Sequence, residues 1–187
     1  AQESRGLGDV YKRQHPLRPH QMTNQTFNVL FLCTGNSARS IMAEALLSTM
    51  GHGRFQVFSA GSQPGGTVNP YAIELVKTTG YPVANLRSKS WDEYAVAGAP
   101  KMDFIITVCD NAAGEVCPIW PGQPISAHWG FEDPAAAQGS DEEKRAVFHK
   151  VFKQIMARVN TFVSLPIAML EKNAIHQELK KIGASSV

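Results

Sequence analysis

Cys33-Thr34-Gly35-Asn36-Ser37-Ala38-Arg39-Ser40 sets a thiol and a guanidinium six residues apart. The residues between them can curl so that backbone N–H groups converge as an anion-binding nest. Gly35 and Asn36 are suited to the positive φ that such a curl needs. Arg39 can give an oxyanion two parallel hydrogen bonds, and together with the amides and a helix N-terminus it is expected to pull the Cys33 thiol toward the thiolate. Ser40 is expected to donate a further hydrogen bond to that sulfur. A bare Cys-x5-Arg also describes a buried cysteine beside a surface arginine; a strand before it and a helix after it favour the nest.

The flanking elements supply that context. Phe27 to Cys33 (FNVLFLC) is a continuous apolar run, the pattern of a strand buried on both faces of a parallel sheet. From Ser37 onward Met42, Leu46 and Met50 recur with Ala43 and Leu47 at helical spacing, up to Gly51. Phe55 to Ser59 and Phe104 to Val108 read as further strands, with a weaker one near Pro124 to Ala127. Asn69 to Thr79 reads as a helix with Pro70 in its first turn. Ser140-Asp141-Glu142-Glu143 is a capping box ahead of a long helix whose face carries Val147, Phe148, Val151, Phe152, Ile155, Val159 and Phe162. After Pro166, the residues Ile167, Leu170, Ala174, Leu179 and Ile182 suggest a last helix ending at Gly183. Strands alternating with helices make an α/β domain with a mainly parallel sheet, whose ligands bind beyond the carboxyl ends of the strands.

Cys109 ends the strand Phe104 to Val108 as Cys33 ends the first, so in a parallel sheet both sulfurs lie on one edge and can approach each other. Two thiols that become a disulfide supply two electrons, and a third can carry that disulfide outward by exchange; the other reading makes Cys109 a core cysteine and Cys117 a loop cysteine fixed by Pro118.

The chain has 187 residues, room for one compact domain, and 43% hydrophobic against 18% charged residues, enough for a core. Residues 1–21 lack apolar periodicity and are read as a tail; Asp9 to Gln14 resembles translated library-adapter sequence, which puts the expected start at Met22. Four of the 18 basic and two of the 16 acidic residues fall in that tail, leaving 14 of each over 22–187. This balance offers no basic stripe for nucleic acid and no polybasic membrane anchor. No apolar stretch approaches the roughly 18 residues of a membrane span. Three cysteines, without a secretory signal, argue for a reducing cytoplasm rather than a disulfide framework.

NVLFLCTGNSARS followed by MAEALL resembles the phosphate-binding loop of the low-molecular-weight protein tyrosine phosphatase superfamily. Ser59-Ala60-Gly61, Asn69-Pro70, Val108-Cys109-Asp110, Cys117-Pro118 and His128-Trp129-Gly130-Phe131-Glu132-Asp133-Pro134-Ala135 are similar to its arsenate reductase branch. The resemblance covers about residues 26–165. It implies a three-layer fold, a four-stranded mainly parallel sheet with helices on both faces, in a single domain over 22–187 with a helical extension from about 166. It implies an oxyanion held by Thr34, Gly35, Asn36, Ser37, Ala38 and Arg39, with Asp133 as general acid. It also implies a relay in which Cys33 attacks arsenate, Cys109 attacks the adduct and releases arsenite, and Cys117 resolves the Cys33–Cys109 bond. The partners so implied are arsenate, phosphate as competing anion, and an external thiol reductant, thioredoxin or glutathione with glutaredoxin. No tightly bound cofactor is expected. Glu44, Ser59 and Asn36 match positions that bind potassium in some relatives, but the acidic ligand expected near Ser88 to Ser90 has no match.

Two departures bear on function. Ala135-Ala136-Ala137 stands where phosphotyrosine enzymes of this type carry an aromatic residue, and Ala38 stands where some thioredoxin-coupled relatives carry a cysteine. Hydrolysis of phosphomonoesters by Cys33 and Asp133 is the alternative activity, and a non-catalytic anion or redox sensor is a third. A zinc site from Cys109, Cys117 and His128 lacks the usual close ligand pairs. His52, His149 and His176 are read as surface or boundary residues, and Trp120 and Trp129 as packing the site's rim.

Overall fold

A computed structural model describes residues 25–115 and 118–187, so the tail 1–21 and Cys117 lie outside the described residues. The apolar run becomes β1, Phe27–Cys33, which pairs on one side with β2, Phe55–Gly61, and on the other with β3, Phe104–Thr107. The fourth strand, β4, Ile125–His128, extends the sheet beyond β3. All pairings are parallel and the order is β2-β1-β3-β4. The carboxyl ends of all four strands therefore open on one edge, with Cys33 opposite Gly61 and Thr107 opposite His128.

One face of the sheet carries the main core. Helix α1, Arg39–Met50, and the 23-residue α4, Asp141–Val163, pack there with Val29, Phe31, Phe104 and Ile106. Helix α2, Pro70–Lys77, begins at Asn69, whose side chain accepts from the Tyr71 amide at 2.9 Å with Pro70 inside the first turn. The capping box of α4 is complete: Ser140 Oγ accepts from the Glu143 amide at 3.2 Å and Glu143 Oε2 from the Ser140 amide at 3.0 Å. Phe162 then sets its ring edge-on to both Phe104 and Trp129. The second face is covered more thinly. Leu30, Leu32, Ala60, Met102 and Ile105 pack under Phe58, Trp120 and the short 3-10 turn Trp91–Tyr94.

The last helix, α5, differs from the sequence reading in start and register. Pro166 opens a 3-10 turn at Ile167–Met169, Leu170 is extended, and α5 runs Lys172–Ala184. Its buried residues are Ile175, Leu179 and Ile182, while Ala174 is exposed; the 3-4 spacing from Ile167 to Ala174 spans a break and is not one helical face. Leu179 O accepts from Trp129 Nε1 at 3.1 Å, and Gly183 lies so close to His128 O that a Cβ there would stand 2.2 Å from it. This fully buried Trp129 is a core residue against Phe31 and Phe162, not part of the site's rim. Among the described residues no helix is long and apolar enough to cross a membrane.

Candidate active site

The loop after β1 owes its shape to four carbonyls tied outward. Cys33 O accepts from the Ser62 amide at 3.2 Å, Thr34 O from Gln63 at 2.9 Å, Gly35 O from Gly65 at 3.2 Å and Ser37 O from Asn69 at 2.9 Å. In a trans peptide the N–H points opposite to the carbonyl, so the amides of Thr34, Gly35, Asn36 and Ala38 turn toward the concave side, as an anion nest requires. Asn36 alone in the loop has positive φ, at 45°; Gly35 does not. Gly61, opposite Cys33, allows the close approach. A Cβ there would stand 2.3 Å from Thr34 O and 3.0 Å from the Asn36 nitrogen.

Asn36 is held in its left-handed conformation by its own side chain. Its Nδ2 donates to Ser40 Oγ at 2.8 Å and Ser59 Oγ at 3.0 Å, and its Oδ1 accepts from the Lys89 amide at 2.9 Å. Ser40 thus braces Asn36 from beneath, and no Ser40–Cys33 hydrogen bond is present among the described residues. Ser59 bridges two buried ionisable side chains, Glu44 and Lys89, the second of which sequence reasoning missed. Ser59 donates to Glu44 Oε2 at 3.0 Å, and Lys89 Nζ donates to Ser59 Oγ at 3.4 Å and Arg87 O at 2.8 Å. Burial raises the Glu44 carboxyl, which Lys89 opposes, and burial lowers the Lys89 ammonium, which Glu44 opposes.

Cys33 and Cys109 are both buried and reduced, and each shifts the titration of the other. Thr34 Oγ1 lies 3.6 Å from Cys109 Sγ, tying the loop to the end of β3. Cys109 also stands at the N-cap position of the five-residue helix α3, Asp110–Gly114, and the Ala112 amide favours its anion. The neighbouring Cys109 and burial raise Cys33, the neighbouring Cys33 lowers Cys109, and Arg39 favours the anion on either sulfur. The pair thus parts readily with one proton and holds the second. The loop sequence suggested a lowered Cys33; Cys109, 76 positions away, and burial raise it instead.

Arg39, the first residue of α1, donates to Phe131 O at 2.9 Å, and its second terminal nitrogen stands 3.7 Å from Asp133 Oδ1. Asp133 caps a short 3-10 turn at Pro134–Ala136 by accepting from the Ala135 amide at 3.0 Å, and is half exposed. Phe131 is in turn fixed by Arg158 of α4, which covers its ring at 4.5 Å and donates to Gly130 O at 2.8 Å. Cys33, Cys109, Arg39 and Asp133 therefore converge at the strand ends. His128, weighed above only as a zinc ligand, bridges Thr107 Oγ1 at 2.8 Å and Asp110 Oδ1 at 2.9 Å and so anchors the start of α3 to β4. Its signal in the sequence was the strand register alone. A cavity of about 600 Å³ lies beside β4 under Trp120 and Lys180, but its lining includes neither Cys33 nor the loop. No cluster of three or more His, Cys, Asp or Glu suited to a metal occurs among the described residues.

A parallel four-stranded sheet with a Cys-x5-Arg loop between its first strand and first helix defines a class, and comparison with known proteins assigns it. Residues 28–180 match the model of the low molecular weight phosphotyrosine protein phosphatase family, and the chain belongs to that family. Within it, the chain is 42% identical over 134 residues to the arsenate reductase of Halalkalibacterium halodurans, covering 72% of this chain and 93% of the relative. Among solved structures, an arsenate reductase in the phosphate binding state is similar with a TM-score of 0.60 at 29% identity, covering 74% of this chain and 98% of that one. The thioredoxin-dependent arsenate reductase of Corynebacterium glutamicum is similar with a TM-score of 0.51 at 27% identity, covering 72% and 61%.

Proposed function

We propose that this protein reduces arsenate to arsenite, for arsenic detoxification. The observation that carries this reading is the second thiol: buried Cys109 stands against the oxyanion loop that Cys33 begins, its sulfur 3.6 Å from Thr34 Oγ1. A phosphatase needs one nucleophile there, whereas a two-electron reduction needs a thiol to form the bond and a second to take over its sulfur.

The amides of Thr34, Gly35, Asn36 and Ala38 and the Arg39 guanidinium hold arsenate above Cys33, which passes its proton to the Cys109 sulfur and forms an S–As bond while one arsenic oxygen leaves as water. Asp133, beside Arg39, protonates that oxygen. Cys109 then gives that proton to an arsenic oxygen and attacks Cys33 Sγ; the S–As electron pair stays on arsenic, arsenite departs, and a Cys33–Cys109 disulfide remains. Cys117 attacks Cys109, freeing the Cys33 thiolate and leaving a Cys109–Cys117 disulfide for an external dithiol. The thioredoxin-dependent relative favours thioredoxin over glutathione with glutaredoxin as that donor. Thiols that must be returned to the reduced state each cycle suit the cytoplasm.

Potassium does not fit the residues matched to it. Asn36 Oδ1 accepts the Lys89 amide, Ser59 Oγ is engaged with three partners, and the Lys89 ammonium stands on Ser59.

The decisive experiment measures arsenite formed from arsenate with thioredoxin, its reductase and a nicotinamide reductant, against glutathione with glutaredoxin. Formation with neither couple, alongside rapid hydrolysis of an aryl phosphate, would replace this reading with phosphomonoester hydrolysis. The approach of Asp133 to Arg39 is what favours that second reading.

A further inference from the structure

Directly behind the oxyanion loop, the side chains of Glu44, Ser59, Asn36 and Lys89 form one saturated network. A hydroxyl has one proton to give and two lone pairs to receive. Ser59 uses all three: it gives its proton to Glu44 Oε2 and receives from Asn36 Nδ2 and Lys89 Nζ. Asn36 likewise spends both Nδ2 protons and its Oδ1. Lys89 and Glu44 are each only 6% exposed, far below what is usual for ions of either type. A buried carboxylate of this kind demands a nearby positive charge. Lys89 supplies one that cannot diffuse away, and its backbone amide simultaneously donates to the side-chain Oδ1 of Asn36, the one loop residue with positive φ. A second cation at the same oxygens would meet the ammonium's repulsion and find no free lone pair on Ser59.

We propose that Lys89 is a built-in cation for the oxyanion loop: a positioning residue whose ammonium does from within the fold what a bound monovalent metal ion would otherwise do, making the loop indifferent to such ions. The inference rests only on the oxyanion-binding part of the proposed function and does not depend on whether the bound anion is reduced or hydrolysed. Its reach is specific. The network ends on Asn36, so its loss acts on loop geometry and anion affinity rather than on the thiols directly.

The test uses inorganic phosphate as probe and reads binding by calorimetry and unfolding by melting, in potassium, sodium and choline chloride at equal ionic strength. For the wild type, the phosphate Kd should agree within about twofold and Tm within about 1 °C across the three salts. Lys89→Met, which keeps the length of the side chain and removes its charge, should in choline lose roughly 5 to 10 °C of Tm and about tenfold in phosphate affinity. Potassium or sodium should restore part of both. The double variant Glu44→Gln, Lys89→Met removes both charges; it should melt above the single variant and respond to none of the salts. A wild type whose Tm and phosphate affinity rise specifically with potassium would overturn the proposal. So would a Lys89→Met protein that matches wild type in choline. If Lys89→Met does not fold, the salt series on the wild type and on the double variant still decides. Failure of arsenate reduction in the wild type, with phosphate binding intact, would count against the proposed activity and leave this inference standing.

Discussion

Arg39 and Phe131, 92 residues apart, are joined by a 2.9 Å hydrogen bond from the guanidinium to the backbone carbonyl. The arginine that would grip the anion is thereby also the clamp for the segment carrying Asp133, so the oxyanion loop and the candidate acid are aligned by one side chain.

Arg39→Lys should therefore do double damage. An ammonium cannot form two parallel bonds to an oxyanion and hold the Phe131 carbonyl as well. We expect arsenate and phosphate dissociation constants to rise together by about tenfold or more, measured by calorimetry. Equal affinities in mutant and wild type would dismiss the bidentate grip.

The thiol pair should titrate as a unit. One thiolate, followed by its ultraviolet absorbance, should form well below the ordinary thiol value of 9.0 and the second well above it. Where the native pair has given up a proton that the unfolded chain still holds, stability rises with pH; above 9.0, where the native pair retains the second proton, it falls. Cys109→Ser should remove the Cys33–Cys109 contribution to both slopes in urea unfolding. Two thiolates appearing together near 9.0 in the wild type would contradict the shared proton.

Single-turnover analysis should separate the two later thiols. With arsenate, Cys109→Ser should release no arsenite, whereas Cys117→Ser should release one equivalent and stop with Cys33 joined to Cys109. In the wild type, peptide mapping after one turnover should find Cys109 joined to Cys117. Full multiple turnover in the Cys109→Ser, Cys117→Ser double mutant would mean that electrons reach Cys33 directly from outside.

Gly61→Ala places a methyl group 2.3 Å from Thr34 O. The loop has to move away from β2, which should cost about 1–3 kcal/mol in urea unfolding and weaken phosphate binding in the same variant. Unchanged anion affinity would show that the loop tolerates being displaced.

What was legible in the sequence was local. The apolar run of β1, the periodicity of α1 and the capping box of α4 each lie within one element, and the parallel order placed Cys33 and Cys109 on a common edge. What was not legible depends on partners far along the chain. Lys89 meets Asn36 and Ser59 across 53 and 30 positions, and nothing in Arg87-Ser88-Lys89 distinguishes a buried ammonium from a surface one. Ser40 was aimed at Cys33 because the two are near in sequence, whereas the Asn36 amide claims it. Trp129 sits between site motifs, yet α5 and Phe162 enclose it, and that enclosure is written in residues 162–183.

The outward-tied carbonyls of Cys33, Thr34, Gly35 and Ser37 have a consequence for selectivity. A cup lined with amides and one guanidinium recognises the charge and tetrahedral outline of its guest, and phosphate and arsenate share both. Discrimination between them is then not a matter of fit. It falls to the step in which the central atom must accept an electron pair from sulfur, which arsenic(V) does and phosphorus(V) does not. Abundant phosphate would occupy the cup as a bystander that slows the enzyme without being consumed as an oxidant, and the rate under cellular conditions would track the ratio of the two anions rather than arsenate alone.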